Sequence, residues 1–419
     1  MTRFRVRPNG PLEGTVVVAG ATKNSGVKQM AAALLAPGVS TLHNMPMVLD
    51  LEVMSELLGA VGARVDLSEP GVVRVDASGE LQPEAPYELV TRMRASFNVL
   101  GPLLARCGEA RVALPGGDDI GSRKVDMHLR GLVSMGAHVA VDHGFVHARC
   151  DALQGARVLL EFPSVGATEN LMCAAVLAKG TTVIENAARE PEVTDLAAFL
   201  DRMGAQVVGA GSSTIEIEGV EELVPAESEI MADRIEAGTL LMACGIAGGE
   251  IELVGTRLEH LEIVVSKLCE MGMRVSQTSD GLWARCTGRL RAIDIATLPH
   301  PGFATDFMPI AVAMMTVAEG TAIATENIYE GRFLFVDELA RMGADVRTEG
   351  RHAIVRGVER LSGAPVTASD VRAGAALVLA GLVAEGETTV HGGEHVDRGY
   401  PDLAGTLRSL GADVERLDD

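Results

Sequence analysis

The sequence predicts an α/β protein of two domains, each built from three copies of one α/β unit of about 70 residues. The first observation is a recurring phrase: V-G-A-R-V, M-G-A-H-V, M-G-A-Q-V, M-G-M-R-V, M-G-A-D-V and L-G-A-D-V. Its glycines, Gly62, Gly136, Gly204, Gly272, Gly343 and Gly411, follow one another at intervals of 74, 68, 68, 71 and 68 residues. The second is a small-residue-rich apolar run that precedes each phrase. A third sets the register, because I-E-G-V-E-E-L (217–223) and V-R-G-V-E-R-L (355–361) close the third and fifth units. Six such units are too many for one core, so two domains of three are expected.

Each unit opens with a helix, over 30–35, 95–106, 169–178, 237–247, 308–318 and 373–384. These runs are apolar almost all round, which predicts burial. A glycine ends the helix, and a short β-rich run follows, such as T-T-V-I-E, E-I-E-L-V or T-A-I-A-T. A polar loop leads to a second, amphipathic helix whose charged face (Arg202; Glu338 with Arg341) should meet water. That helix stops at the glycine of the phrase in a left-handed C-cap, and a strand comes next. V-P-A-E-S-E within 224–231 breaks the pattern and is the expected hinge.

With 47% hydrophobic residues the chain is globular, and 3% aromatics with abundant Gly and Ala suit close approach of helices and sheets. A net charge of −21 argues against nucleic acid and anionic membrane as partners, since phosphate binding needs a basic surface. It leaves room for a small anion in a locally basic site. No run reaches the roughly 20 apolar residues of a membrane span. M-T-R-F-R-V-R-P lacks the apolar core of a signal peptide, so a soluble cytoplasmic protein is expected. Cys107, Cys150, Cys173, Cys244, Cys269 and Cys286 form no C-x-x-C pair and read as buried thiols of a reducing compartment. G-A-T-K-N-S lacks P-loop spacing, G-A-V-G-A-R lacks the Rossmann context, and there is no H-E-x-x-H. Ser25 and Ser164 have no His–Asp constellation that would make them nucleophiles.

The stretch 113–128 reads A-L-P-G-G-D-D-I-G-S-R-K-V-D-M-H. Pro115-Gly116-Gly117 predicts a turn or mobile loop. Asp118, Asp119 and Arg123 on such a loop suit a lid that brings a proton donor and an anion clamp to a ligand. The alternative is a solvated acidic turn.

The buried helices begin with charge: Lys23-Asn24, Arg92 and Arg94, Ser164 with Thr168-Glu169, Asp233-Arg234, Thr305-Asp306, and Asp370 with Arg372. A helix N-terminus favours anions, so Thr305, Asp306 and Asp370 have an ordinary reading as N-caps. Lys23, Arg94, Arg234 and Arg372 do not, and they point to an anionic ligand or to salt bridges with neighbouring carboxylates. Arg123, Arg332 and Arg398 lie in loops, and arginine is suited to bidentate carboxylate and phosphate recognition.

These residues carry a resemblance. Lys23-Asn24, M-R-A-S at 93–96, L-P-G-G-D-x-I-G-x-R at 114–123 with V-D-M-H after it, S-V-G-A-T at 164–168 and N-A-A-R-E-P-E fall in the first half. D-R-I-E-A-G-T, H-P-G-F-x-T-D at 300–306, R-F, D-V-R-A-G and D-R-G-Y fall in the second. Together they resemble, end to end, the enolpyruvyl transferases of the branch that acts on UDP-N-acetylglucosamine; the P-G-S-K-S signature of the shikimate 3-phosphate branch is absent. The resemblance implies an inside-out α/β barrel of two pseudo-threefold domains. One is 23–230 with the mobile loop 113–124, and the other is 231–419 joined by 1–22. It implies transfer of enolpyruvyl from phosphoenolpyruvate to the 3-hydroxyl of the amino sugar, with release of phosphate by addition and elimination. That is the first committed step of peptidoglycan synthesis, and no metal or cofactor is needed.

By motif, the resemblance makes Asp306 the base at the sugar hydroxyl. Lys23, Arg123 and Arg398 become the clamp on phosphoenolpyruvate, with Arg332, Asp370 and Arg372 nearby. Asn24, Arg94, Lys124, Val125, Asp126, Met127, Ser164, Val165, Gly166 and Ile328 line the nucleotide-sugar site. Asp118 stands where most of the family has cysteine, and a carboxylic acid kept protonated by burial suits proton donation to the methylene carbon. Resistance to fosfomycin, which alkylates that cysteine, is then expected. Thr22 before Lys23 and Lys124 after the loop arginine depart from the family pattern. They leave open enolpyruvyl transfer to a different nucleotide in secondary metabolism, and a catalytically silent nucleotide-sugar-binding regulator is a third reading.

Overall fold

In the computed structural model, which describes residues 2–18 and 22–418, the six repeats form six four-stranded sheets of one plan. Residues 19–21, part of the expected N-terminal segment 1–22, lie outside the described residues, as do 1 and 419. In each sheet a short edge strand runs parallel to its neighbour and two antiparallel steps follow. Arg157–Leu159, Thr181–Glu185, Thr214–Glu218 and Gln206–Val208 make one such sheet. Ile295–Ala296, Thr321–Thr325, His352–Arg356 and Asp345–Glu349 make another. Side chains alternate along the strands: Thr182 and Ile184 are buried while Thr181 is exposed, as expected for a sheet with one face packed and one wet.

The chain divides into two units. The C-terminal unit comprises Met1–Ala19, Asp118–Arg123 and Ala232–Asp419, and the N-terminal unit comprises Gly20–Gly117 and Lys124–Met231. The loop 113–124 is therefore divided, its tip counted with the C-terminal unit. In that unit Thr2–Arg7 lies between Thr388–His391 and Asp413–Asp418, and Leu12–Val17 forms the parallel edge beside Gly249–Val254. In the N-terminal unit Glu227–Glu229 pairs in parallel with 41–43. Residues 224–231, expected as a hinge, thus include the edge strand that completes the first sheet.

Within each unit three helices fill the interior. In the C-terminal unit these are Arg234–Ala247, Met308–Met315 and Val371–Gly381, the last two buried throughout. In the N-terminal unit they are Lys23–Ala32, Leu100–Cys107 and Val165–Ala175. Small residues let them touch: a Cβ on Gly238 would fall 2.3 Å from Phe307, and one on Gly101 2.3 Å from the Asn170 carbonyl. The arrangement is the inside-out α/β barrel, helices within and sheets without, repeated three times per unit.

Two details of the expected helices change. The first extends back from the apolar run 30–35 to Lys23, the charged edge read from the sequence, because the Thr22 carbonyl accepts from Ser25 and Gly26 amides and starts it there. The second and fifth open as 3-10 turns, Arg94–Val99 and Thr305–Phe307, and become α-helical only at Leu100 and Met308. Pro102 and Pro309 sit just inside those α-helices, where a missing N–H costs nothing. Every phrase glycine adopts the left-handed conformation, with φ from +86° at Gly343 to +117° at Gly272. The cysteines are free but not uniformly buried: Cys269 is exposed, and Cys107 and Cys150 are half-buried. Among the described residues no helix is long and apolar enough to cross a membrane.

Candidate active site

In the C-terminal unit the tip of the Pro-Gly-Gly loop is held by its own backbone. Gly331 N donates to Ile120 O at 3.0 Å, and Ser122 N donates to a carboxylate oxygen of Glu330 at 2.8 Å. Ile120 is buried, and this anchoring sends the two adjacent carboxylates different ways. Asp119 is exposed, whereas Asp118 receives a 2.5 Å bond from Arg398 Nη1. Arg123 donates to the Asp118 carbonyl at 2.7 Å, so the loop acid and two of the expected anion-clamping arginines meet.

A second group lies at the start of this unit's interior helices. Asp306 Oδ1 accepts from Arg372 Nε at 3.1 Å and from Arg332 Nη2 at 3.4 Å. Burial would raise the Asp306 carboxyl, but Arg372 and Arg332 outweigh it and hold the group well below the usual carboxylate range. About a third of the Asp306 side chain stays exposed (32%), while both arginines are buried. Asp370 caps its helix, accepting from the Arg372 and Ala373 amides at 2.9 and 3.1 Å, and lies 3.7 Å from Arg332 Nη1. The N-cap reading thus holds for Asp370 but not for Thr305 or Asp306, which lie inside the 3-10 turn that Ala304 precedes. Arg372 lies over the ring of Tyr400, whose hydroxyl is 2.8 Å from Thr239 Oγ1.

The N-terminal unit has its own cationic group. Lys23, first residue of its helix, pairs with Asp50 at 2.8 Å, and Asn24 beside it is half-buried. Arg94 donates to the Lys124 carbonyl at 3.3 Å, which ties two expected site residues together. Val125 precedes the helix Asp126–Ser134; Asp126 pairs with Arg130, and Met127 is half-buried. Ser164 caps Val165–Ala175 by accepting the Ala167 amide at 3.3 Å, leaving Val165 and Gly166 in the first turn. Lys23 and Arg372, read as ligand-binding or salt-bridged, are salt-bridged in this structure. Among the described residues no His, Cys, Asp and Glu cluster is arranged to hold a metal.

The geometry is that of repeated α/β units whose interior helices begin in arginines, a lysine and paired carboxylates. Residues 6–407 match the family described as EPSP synthase (3-phosphoshikimate 1-carboxyvinyltransferase). The chain belongs to the EPSP synthase family. Within it, this chain is 52% identical over 415 residues to a protein of Mycobacterium bovis named UDP-N-acetylglucosamine 1-carboxyvinyltransferase, covering 99% of both chains. A protein of Caldanaerobacter subterraneus subsp. tengcongensis named UDP-N-acetylglucosamine 1-carboxyvinyltransferase 1 is 49% identical over 416 residues, again 99% of each. The crystal structure of the enolpyruvyl transferase NikO from Streptomyces tendae superimposes with a TM-score of 0.87 at 26% identity, covering 99% of this chain and 98% of that one. EPSP synthase from Acinetobacter baumannii, at 20% identity and TM-score 0.74, shares the fold over 100% of both chains.

This member of the EPSP synthase family also places site residues that sequence reasoning missed. Asp50 looks like an ordinary acid in the first turn of a surface helix, yet it holds Lys23. Buried Glu326 accepts from Thr305 Oγ1 and Thr297 Oγ1 at 2.8 Å and from the Ile328 amide at 2.7 Å. It thereby fixes Ile328 and, through Thr305, the neighbour of Arg332 Nε at 3.2 Å. No local pattern signals either residue, because each acts on a partner more than twenty positions away or on a loop backbone.

Proposed function

We propose that the protein transfers enolpyruvyl from phosphoenolpyruvate to the 3-hydroxyl of UDP-N-acetylglucosamine and releases phosphate, opening peptidoglycan synthesis in the cytoplasm. The observation that carries this reading is 52% identity over 99% of both chains to a relative bearing that activity's name. In the addition step the sugar hydroxyl attacks C2 of phosphoenolpyruvate, loses its proton to Asp306, and C3 gains a proton from Asp118. In the elimination step C3 returns a proton to the Asp118 carboxylate, the C–O bond to phosphate breaks with release of inorganic phosphate, which can carry off the proton taken up by Asp306, and the enolpyruvyl ether remains. Lys23, Arg123, Arg332, Arg372 and Arg398 stabilise the anionic tetrahedral intermediate by preorganised charge.

The ion pairs of the structure fit this sequence of events. Asp306 is ionised, as a base must be, but two guanidinium groups weaken its basicity. A substrate phosphate or carboxylate that draws Arg332 or Arg372 away restores that basicity when the acceptor is in place. The same competition for Arg398 frees Asp118 to carry the methylene proton.

Asn24, Arg94, Lys124, Val125, Asp126, Met127, Ser164, Val165, Gly166 and Ile328 serve the nucleotide sugar in this reading. The two departures from the family pattern have structural roles in the backbone. Thr22 is buried and starts a helix, while Lys124 meets Arg94 through its backbone carbonyl. Mass spectrometry of the product tests the proposal: UDP-N-acetylglucosamine should gain one enolpyruvyl group per phosphate released. An unmodified sugar nucleotide after phosphoenolpyruvate is consumed would refute it.

A further inference from the structure

The D-R-G-Y run gives Arg398 to the loop acid Asp118, while Tyr400 at its end has no part in the chemistry proposed above. Tyr400 is 1% exposed and is the bulkiest of the fully buried side chains among the described residues. Burying a phenol is costly unless its hydroxyl is bonded, so a phenylalanine would serve a purely packing role better. Gly399 lets this turn come close to the neighbouring helix: a Cβ there would fall 2.4 Å from Val371 and 3.3 Å from Arg372 Nη1. The Arg372 guanidinium lies 5.2 Å from the centroid of the Tyr400 ring, and the hydroxyl makes a side-chain hydrogen bond to the same guanidinium.

The direction of the hydroxyl protons follows from the partners. Thr239 Oγ1 donates to the Ile235 carbonyl at 2.8 Å and lies 2.8 Å from the Tyr400 hydroxyl. Arginine carries no acceptor, so the phenol donates to Thr239 and not to Arg372. The bonds therefore run one way, from Arg372 to Tyr400, to Thr239, to the Ile235 carbonyl. The phenol oxygen is left as an acceptor for the guanidinium, and burial pushes the phenol pKa up, which keeps it protonated.

Arg372 is thus held from two sides. Its Nε bonds Asp306 Oδ1 at 3.1 Å, Tyr400 lies on another face, and its Nη1 is buried with no hydrogen-bond partner among the described residues. Once Asp306 takes up a proton it no longer balances this buried charge, and a buried charge that loses its partner is costly. The Tyr400 hydroxyl still bonds the guanidinium in that state. We propose that Tyr400, with Thr239 behind it, is a positioning residue that holds Arg372 against Asp306 and keeps it in place while Asp306 carries the acceptor's proton. The inference rests on the function proposed above and adds to it a side chain that acts through Arg372.

Tyr400→Phe keeps the ring and removes the acceptor, Thr239→Val removes the group that receives the phenol proton, and Thr239→Ser retains it. Steady-state kinetics with phosphoenolpyruvate and UDP-N-acetylglucosamine, per mole of folded enzyme, test the proposal. The expected kcat is lower by about tenfold or more in Tyr400→Phe, lower by a smaller factor in Thr239→Val, and close to wild type in Thr239→Ser. The KM for UDP-N-acetylglucosamine should stay within about twofold throughout. The double variant should be no slower than Tyr400→Phe alone, because both substitutions act through one guanidinium. Wild-type kcat in Tyr400→Phe, even with a lowered Tm, or losses that multiply in the double variant, overturns the inference and leaves the substrate reading standing. Equal kcat in Thr239→Val and Thr239→Ser overturns it as well, and that comparison does not depend on Tyr400→Phe folding. A wild type that does not turn over these two substrates overturns both readings.

Discussion

Arg398 Nη1 lies 2.5 Å from Oδ1 of Asp118, joining residues 280 positions apart in the chain with side chains only 18% and 17% exposed. The pair sets a loop carboxylate against a guanidinium suited to an anionic substrate, and in the proposed function binding and proton transfer would be coupled through this one contact. Arg398→Gln removes the partner of Asp118 and, in the proposed function, part of the anion clamp. The KM for phosphoenolpyruvate should rise and kcat fall, together lowering kcat/KM by about 10² or more, as steady-state kinetics would show. A variant with wild-type kcat/KM for phosphoenolpyruvate contradicts the role.

In the proposed reading Asp118 would also set the response to fosfomycin. A carboxylate is a far poorer nucleophile toward an epoxide than a thiolate. The wild type should keep its activity through prolonged exposure to the drug, and Asp118→Cys should acquire time-dependent inactivation. Rapid stoichiometric loss of wild-type activity would sink this expectation.

Glu236 links the interior of the C-terminal unit to pH. Burial, with Asp233 adding to it against the opposing pull of Arg372, raises its carboxyl to about 8. An unfolded glutamate titrates near 4.3, so the folded state holds the extra proton between those values. That contribution to stability is complete below the unfolded pKa and is lost as pH rises through about 8. Glu236→Gln cannot titrate, so its stability relative to the wild type should improve from pH 5 to pH 9 by more than about 1 kcal/mol. Urea midpoints at the two pH values check this, and a constant difference between the proteins would contradict it.

The repeated architecture was legible in the sequence because each unit ends its second helix in a conformation that glycine tolerates best. Gly62, Gly136, Gly204, Gly272, Gly343 and Gly411 all have positive φ and mark the period. Lys23-Asn24 marked the beginning of the first interior helix, but the turns between it and residue 30 did not show as helix, because their polar positions are buried against distant partners. Ser25 and Gln29 bind Asp195 at 2.5 and 2.9 Å, and Lys28 pairs with Glu169, so no apolar period shows there. The same holds for the site. Lys23, Arg94, Arg234 and Arg372 stood out as cations where helix starts disfavour them, but Asp50 and Glu326 look like ordinary members of a helix turn or a loop. Only their tertiary neighbours reveal what they do.

Phosphate release from phosphoenolpyruvate, measured with and without UDP-N-acetylglucosamine in the wild type and in Asp118→Asn, tests the central claim most directly. The account predicts release that depends on the sugar nucleotide and falls by about 10² or more in the variant. Release that ignores the sugar nucleotide, or that persists undiminished in Asp118→Asn, would contradict it.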